Sequence, residues 1–417
     1  MKVLQINNFH YLRGGSDRMY FETANLLTKN GDEVGFFSSV EPENEPTVFQ
    51  KYFTPGKNLV QSNSISQKIK SSFEFIYNKN AVLNLSKLLA DFEPDIIHLH
   101  IFQSRLSSGI IKAIKDSGIP SIMTVHEYKI LCPVYVFLDG KGQLCEKCAN
   151  GNYLHGVINK CTQNSYFPST INSIESFTRD AFFSYTSHID AFMYPSAFIK
   201  NKHIQYKSNL ENKSFVVANF LDTELFVPAF KNENYLLYFG RLSKEKGVLT
   251  LVECMKYFPN VQLVVVGKGP EEEAVKNIVT QLQLKNVKLV GAKYGSDLIS
   301  TIQQASFTIV PSEWYETFGL TIIESYACGT PVIASSIGGM TELIKENKTG
   351  FLFESRKVES LRLAIQKAFT VFDDKSAYQL MCDQSRKYAE AEFDKVTYYK
   401  KLKEVYNWAI DKKNKTK

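Results

Sequence analysis

No apolar stretch in this 417-residue chain approaches the roughly 18 residues that a membrane-spanning helix needs. Nor does the start, Met1-Lys2-Val3-Leu4-Gln5-Ile6-Asn7, carry the long apolar centre of a signal peptide; it reads as a short strand leading into a glycine turn. A cytoplasmic protein is the expectation. Charge of one sign is not in large excess: 49 Lys and Arg against 43 Asp and Glu leave a net +6. That excludes the strongly basic class of nucleic-acid binders and fits, at most, a weak pull toward an acidic membrane surface. An Asp-x-Asp pair is absent throughout, so the usual carboxylate bracket for a catalytic Mg²⁺ is missing. What remains, with 44% hydrophobic and 22% charged residues, is an ordinary globular chain long enough for two or three domains.

The first half alternates apolar runs with helical periodicity. Strands are expected at Val3–Ile6, Val34–Ser38, Ile96–His100, Ser121–Val125, Ala191–Tyr194 and Phe215–Val217. Helical stretches at Asp17–Lys29, Leu83–Phe92 and Arg105–Asp116 separate several of them, a rhythm that implies a parallel sheet. It restarts at Tyr235-Leu236-Leu237-Tyr238-Phe239, with strands near Leu263–Val266, Val287–Val290, Phe307–Val310 and Val332–Ala334. The expected class is α/β, two Rossmann-like doubly wound domains facing across a cleft. Residues 1–219 form the first, with a cysteine-rich insertion over 127–165, and 220–396 the second, the linker falling near Asn219-Phe220-Leu221-Asp222. Residues 397–417 carry a final amphipathic helix, from Tyr398 to about Lys412.

The densest chemistry lies between Pro311 and Glu324. Glu316 and Glu324 flank a small-residue turn, Thr317-Phe318-Gly319, that opens a helix after the strand ending at Val310. Gly319 permits close backbone approach, and the open N–H groups of a first helical turn make a site for a diphosphate. Acids beside an anion site demand cations. Arg241 and Lys246, in Gly240-Arg241-Leu242-Ser243-Lys244-Glu245-Lys246-Gly247, stand after another strand, where open α/β sheets place their ligands. A guanidinium fork and a mobile ammonium suit phosphate oxygens.

Gly-Arg-Leu-x-x-x-Lys-Gly (240–247), Val-Val-Val-Gly-Lys-Gly-Pro (264–270), Pro-Ser-x-x-x-Glu-x-Phe-Gly-Leu-x-x-x-Glu (311–324) and Gly-Thr-Pro-Val-Ile-Ala-Ser (329–335) occur in one ordered set. The set resembles a retaining glycosyltransferase of family 4, also called group 1, with the two-domain glycosyltransferase-B fold. The resemblance is dense from about residue 216 to 355 and thinner before it. It implies sugar transfer from a nucleotide-diphosphate donor to a lipid-linked acceptor of a surface polysaccharide such as capsule or lipopolysaccharide; UDP is expected ahead of GDP or ADP. It also implies that the last helix crosses back onto the first domain, that the cleft is the active site, and that the enzyme sits peripherally on the inner face of the plasma membrane. By the same resemblance Gly14 and Gly15 approach the diphosphate, and His126, in His126-Glu127, hydrogen-bonds the sugar. Gly267, Phe318, Gly319 and Leu320 belong to the donor site, Glu324 binds the ribose, and Glu316 holds the sugar. Arg241 and Lys246 stabilise the leaving diphosphate, with no cofactor required. A non-catalytic nucleotide-sugar-binding subunit and a same-fold epimerase or phosphorylase are the alternatives.

Cys132, Cys145, Cys148 and Cys161 follow the histidine motif with the spacing Cys-x12-Cys-x2-Cys-x12-Cys. Structural zinc held by four thiolates and a cluster of free thiols are both open readings, with disulfides behind them. Gly267-Lys268-Gly269-Pro270-Glu271-Glu272 imitates a dinucleotide fingerprint, but Glu272 replaces the third glycine and would repel a pyrophosphate. His98 and His100 read as structural, or as lining the acceptor side. Gly338-Gly339 and Glu342 read as a loop and helix cap as readily as a site. The stripe Ile65, Ile69, Phe73, Ile76, edged by Lys68, Lys70 and Lys79, is either packed core or an interfacial helix.

Overall fold

A computed structural model describes residues 1–55, 65–229 and 233–415, with backbone alone at 65–70. The chain divides into two compact units, one of Met1–Val217 with Tyr399–Lys417 and the other of Ala218–Tyr398.

In the first unit the strands are β1 (Lys2–Ile6), β2 (Glu33–Phe37), the short pair β3 (Ser39–Val40) and β4 (Thr54–Pro55), then β5 (Ile96–Leu99), β6 (Ser121–Thr124), β7 (Ala191–Tyr194) and β8 (Ser214–Val216). Six of them form a parallel sheet in the order β2-β1-β5-β6-β7-β8. Central strands β5, β6 and β7 are buried at every residue, whereas edge strand β2 alternates. This is why continuous apolar runs, rather than alternation, mark the middle of a covered parallel sheet. The helices up to the sixth are α1 (Gly15–Lys29), α2 (Ile65–Ile76), α3 (Lys79–Phe92), α4 (Ile110–Ser117), α5 (Leu154–Ile158) and α6 (Tyr166–Phe182). Side chains of Ile65, Lys68, Ile69 and Lys70 in α2 lie outside the described residues.

One expected helix is corrected. Arg105–Asp116 starts as a loop, and α4 begins only at Ile110. Ser107 takes a left-handed φ of 66°, which interrupts helical backbone, and the Arg105 amide donates to the Asn8 side chain at 3.0 Å.

The second unit repeats the plan with β9 (Tyr235–Phe239), β10 (Gln262–Val266), β11 (Val287–Gly291), β12 (Phe307–Val310), β13 (Val332–Ser335) and β14 (Gly350–Phe353), all parallel, in the order β11-β10-β9-β12-β13-β14. Strand β14 was not anticipated. Alternate residues of β9 feed the two faces: Leu236 and Tyr238 enter one apolar core, Tyr235, Leu237 and Phe239 the other. Strand order reverses once in each sheet, between β1 and β5 and between β9 and β12. At such switch points the loops after neighbouring strands part and leave a crevice.

The last helix, Lys395–Asn414, begins in the second unit and belongs to the first from Tyr399 onward. It is fastened there by Asp32, whose carboxylate takes the Lys403 ammonium at 3.0 Å, the Met1 amine at 2.9 Å and the Tyr399 hydroxyl at 3.3 Å. Burial pushes the Asp32 carboxyl up, but these cations and hydrogen bonds prevail and hold it below its ordinary value. A depressed carboxyl pKa gives stability that is present above the unfolded pKa and lost as pH falls through the folded one. Asp32→Asn is therefore expected to cost about 1–3 kcal/mol near neutral pH. The difference should vanish once the pH falls below the lowered value of the folded carboxyl, as checked by denaturant unfolding across a series of acidic pH values.

Candidate active site

The crevice of the second sheet is built by close backbone contacts. Gly247, at φ 67°, closes the loop after β9, and a Cβ there would lie 1.9 Å from the Pro311 carbonyl oxygen at the start of the loop after β12. The Glu313 amide donates to the Glu245 carbonyl at 2.8 Å, fixing the two loops together. Behind them Gly338, at φ 66°, sits so near Glu316 that a Cβ would come within 2.5 Å of its backbone N and O, while the Gly339 amide donates to the Glu316 carbonyl at 2.7 Å.

These contacts bring together two residues that are 70 apart in sequence. Lys246 Nζ donates to Glu316 Oε1 at 2.5 Å, and Ser312 Oγ donates to the same oxygen at 2.8 Å. The ammonium also lies 5.4 Å from the centre of the Trp314 ring. Burial raises the Glu316 carboxyl, but the lysine and its hydrogen bonds outweigh that and keep it below the usual carboxylate range. Beside the pair, Gly319 takes a φ of 127° and opens the helix Leu320–Ala327 without a side-chain cap. Arg241 is exposed and makes no ion pair among the described residues. Glu324 lies one turn into the helix and is 8% exposed.

Two of the expected donor residues have packing duties. Phe318 is a core residue, 3% exposed and edge-on to Phe393, which leaves only its backbone for a ligand. At Gly267 a Cβ would stand 1.9 Å from the Gly240 carbonyl oxygen, so the strand-end packing of β10 on β9 by itself demands glycine there. Gly14 is different. It caps α1 in extended backbone, and a Cβ on it would meet no atom within 4 Å, so packing gives no reason for its bareness.

At the carboxyl ends of β1, β5 and β6 three histidines form a chain. His100 Nε2 meets Gln5 Oε1 at 2.6 Å, and His100 Nδ1 meets His126 Nε2 at 2.9 Å. His98 bridges the Tyr406 hydroxyl at 2.8 Å and Thr124 Oγ1 at 2.7 Å, its ring stacked 4.4 Å from His100. Burial lowers the pKa of His98 to about 3 and of His126 to about 4, with His100 also well below its ordinary value. All three are neutral at physiological pH. With the Gln5 carbonyl facing it, His100 donates through Nε2 and accepts through Nδ1, so His126 donates inward and keeps Nδ1 as an outward acceptor. A partly exposed neutral imidazole of this kind suits a sugar hydroxyl. His100, expected only as structural or acceptor-lining, is thus the group that sets the His126 tautomer.

The next residue, Glu127, is pushed by burial to a pKa of about 7, against the pull of Lys129 and with Glu175 adding to the rise. The loop that follows is clamped by Arg179 of α6. Its guanidinium donates to the carbonyls of Lys129 at 2.7 Å and Ile130 at 3.1 Å, and Lys129 pairs with buried Glu175 at 3.1 Å. Nothing in the local sequence advertised Arg179, because a helix polar on its inner side hides among apolar neighbours.

Cys132, Cys145, Cys148 and Cys161 are free thiols, and among the described residues no group of three or more His, Cys, Asp or Glu side chains is arranged to hold a metal. Burial, reinforced by neighbouring thiols, pushes Cys148 and Cys161 up to about 12. The surrounding segment is ordered by its own turns, including a bridge between Leu138 and Leu144.

The model of the family described as "Glycosyltransferase Family 4" matches residues 13–225, and that described as "Glycosyl transferases group 1" matches residues 222–379. An uncharacterized glycosyltransferase of Methanocaldococcus jannaschii is 31% identical over 43% of this chain and 50% of its own length. A capsular polysaccharide biosynthesis glycosyltransferase of Staphylococcus aureus, CapM, is 27% identical over 42% of this chain and 47% of its own. The chain spans about half the length of the curated relatives it matches. Among solved structures, the sucrose-phosphate synthase of Thermosynechococcus elongatus superposes with a TM-score of 0.71 at 20% identity over 98% of both chains. The HepE protein of Anabaena in complex with UDP does so with 0.66 at 18%, over 98% of this chain and 100% of that one. These likenesses give the two-domain glycosyltransferase-B fold.

Two substitutions test the local geometry. Gly338→Ala should destabilise the protein by about 1–3 kcal/mol, since backbone atoms of Glu316 must move, whereas Gly14→Ala should be neutral within about 0.5 kcal/mol; denaturant melts compare them. The raised Glu127 carboxyl takes stability away as pH climbs from its unfolded value through about 7. Glu127→Gln should accordingly gain about 1–3 kcal/mol over the natural protein across that window and level off above it, read from unfolding at a series of pH values.

Proposed function

The chain belongs to glycosyltransferase family 4, and from that premise we propose that it moves a sugar, with retention at the anomeric carbon, from a nucleotide-diphosphate donor to a lipid-linked acceptor. The observation that carries the reading is the Lys246–Glu316 pair at 2.5 Å, set at the β9–β12 switch point next to the open start of the helix Leu320–Ala327. Glu316 holds the ammonium in place, Arg241 adds an exposed guanidinium, and the amides after Gly319 complete a cradle for a diphosphate.

Such a cradle favours the moment of departure. As the bond from the anomeric carbon to the phosphate oxygen breaks, its electron pair goes to that oxygen, and charge gathers where Arg241, Lys246 and the helix start act on it. The acceptor oxygen bonds to the same face of the sugar and passes its proton to the leaving phosphate, which balances the step without an enzyme nucleophile. His126, neutral and with Nδ1 outward, takes a hydrogen bond from the sugar, and Glu324 binds the ribose. Gly14 and Gly15 lie at the start of α1, where a bare backbone lets the anion approach.

UDP is the favoured nucleotide, supported by the Anabaena relative, which was solved with UDP. A surface polysaccharide as the product is supported by the capsular relative, and work at the cytoplasmic face of a membrane follows from a lipid-linked acceptor. Divalent metal is not needed, because cations of the chain itself neutralise the phosphates. The test is transfer from a panel of radiolabelled UDP-, GDP- and ADP-sugars with chelator present. Lys246→Ala and Arg241→Ala should each lower turnover by about 10²–10³-fold, and proton NMR should find the donor's anomeric configuration in the product. Near-natural transfer by both variants, an inverted product, or rescue only by magnesium would overturn the mechanism. Sugar phosphate or a new sugar nucleotide formed without acceptor would instead identify a phosphorylase or epimerase.

A further inference from the structure

Glu316 is held on both sides of its backbone. Its amide donates to the Trp314 carbonyl at 2.8 Å, and its own carbonyl accepts from the Gly339 amide at 2.7 Å. The loop before it is pinned as well. The Ser312 carbonyl accepts from Ser335 Oγ at 2.6 Å and Ser355 Oγ at 3.0 Å, and the Glu313 carbonyl accepts from Arg356 Nη2 at 3.0 Å. Lys246 is different. It ends a single short turn, Lys244–Lys246, and its side chain is 31% exposed against 9% for Glu316. Of the two charges, the ammonium is therefore the one able to move.

A diphosphate beside Lys246 draws the ammonium toward itself, while the carboxylate stays where its backbone holds it. What then remains on Glu316 Oε1 is the Ser312 hydroxyl, at 2.8 Å. A buried carboxylate that loses its cation needs another donor. Trp314 carries one. Its Nε1–H is buried and makes no hydrogen bond. It lies near enough to Glu316, however, to work against burial alongside Lys246 and Ser312 and help hold that carboxyl below its ordinary value. An indole nitrogen can only donate, and a buried donor left unspent in a folded protein calls for an explanation. The Trp314 ring also lies 5.4 Å from Lys246 Nζ, so one side chain meets both members of the pair.

We propose that Trp314 is a positioning residue of the donor site. When a nucleotide diphosphate draws Lys246 away, the indole N–H closes onto the Glu316 carboxylate and holds it in place. The inference rests on the donor reading above and adds to it an exchange of partners, which can be observed without turnover.

The chain has two tryptophans, Trp314 and Trp408. The full-length protein labelled with ¹⁵N therefore gives two indole N–H signals by NMR, and Trp408→Phe identifies its own. On addition of UDP the Trp314 signal is expected to move downfield as a hydrogen bond forms. Lys246→Ala should move the same signal without nucleotide, because Glu316 then lacks its cation from the start. Trp314→Phe keeps a ring beside the ammonium and removes the N–H. It should lower kcat by about tenfold to a hundredfold, with the KM for the donor near its natural value. UDP seen by calorimetry to bind while the Trp314 signal stays in place would overturn the exchange and leave the donor reading standing. A stationary signal in Lys246→Ala, or a natural kcat in Trp314→Phe, would overturn it as well. Failure of UDP, GDP and ADP alike to bind would overturn the donor reading, and the exchange with it.

Discussion

Backbone touching backbone at the carboxyl ends of the second sheet is the constraint from which the candidate site follows. Gly247 lies on the Pro311 carbonyl and Gly338 on the backbone of Glu316, each at a distance no side chain permits. With the two loops held that close, a lysine reaching from one and a glutamate from the other meet at 2.5 Å. The pair is not a surface ornament: Glu316 is 7% exposed, and a carboxylate at that depth stays ionised only with a cation at hand. The same proximity fixes the ammonium where the helix Leu320–Ala327 begins. Attraction for an anion is thus assembled from one pair already compensated, an exposed guanidinium and an open helix start.

The first unit reaches its polar centre by a different route. Its three histidines are neutral because they are buried and stacked on one another, and neutrality gives the chain a direction, from Gln5 through His100 to His126. A protonated His100 would turn its Nδ1 acceptor into a donor facing the His126 donor and break the sequence of hydrogen bonds. Below His126 the loop is anchored by Arg179 and Lys129 against Glu175, a charged cluster that also explains why α6 can turn its apolar residues outward. One polar network serves both purposes: it holds the loop after the histidine, and it frees the outer face of the helix.

Much of this was legible from residues alone. Strands Ala191–Tyr194, Tyr235–Phe239 and Phe307–Val310 coincide with their expected limits, since a run of apolar residues closed by turn signals is a local property. The turn at Gly319, with its left-handed φ, was readable for the same reason. Other features were not. Phe318 looked like part of a binding turn and is core; Gly267 looked like room for a donor and is room for Gly240. In both cases the residue type was right and its neighbour was unknown. Arg105 to Gly109 had helical periodicity, yet Ser107 turns left-handed and interrupts it.

By itself the sequence determined the two α/β halves, the family, and the residue types that gather after each strand, because periodicity, glycine and proline act within a few residues of where they stand. Tertiary structure alone decided that Lys246 is paired with Glu316, that His100 orients His126, and that α6 faces outward with its phenylalanines. Each of these depends on groups separated by tens of residues coming within hydrogen-bond or packing distance. Their energies appear only after the chain has closed those loops, so no local pattern records them.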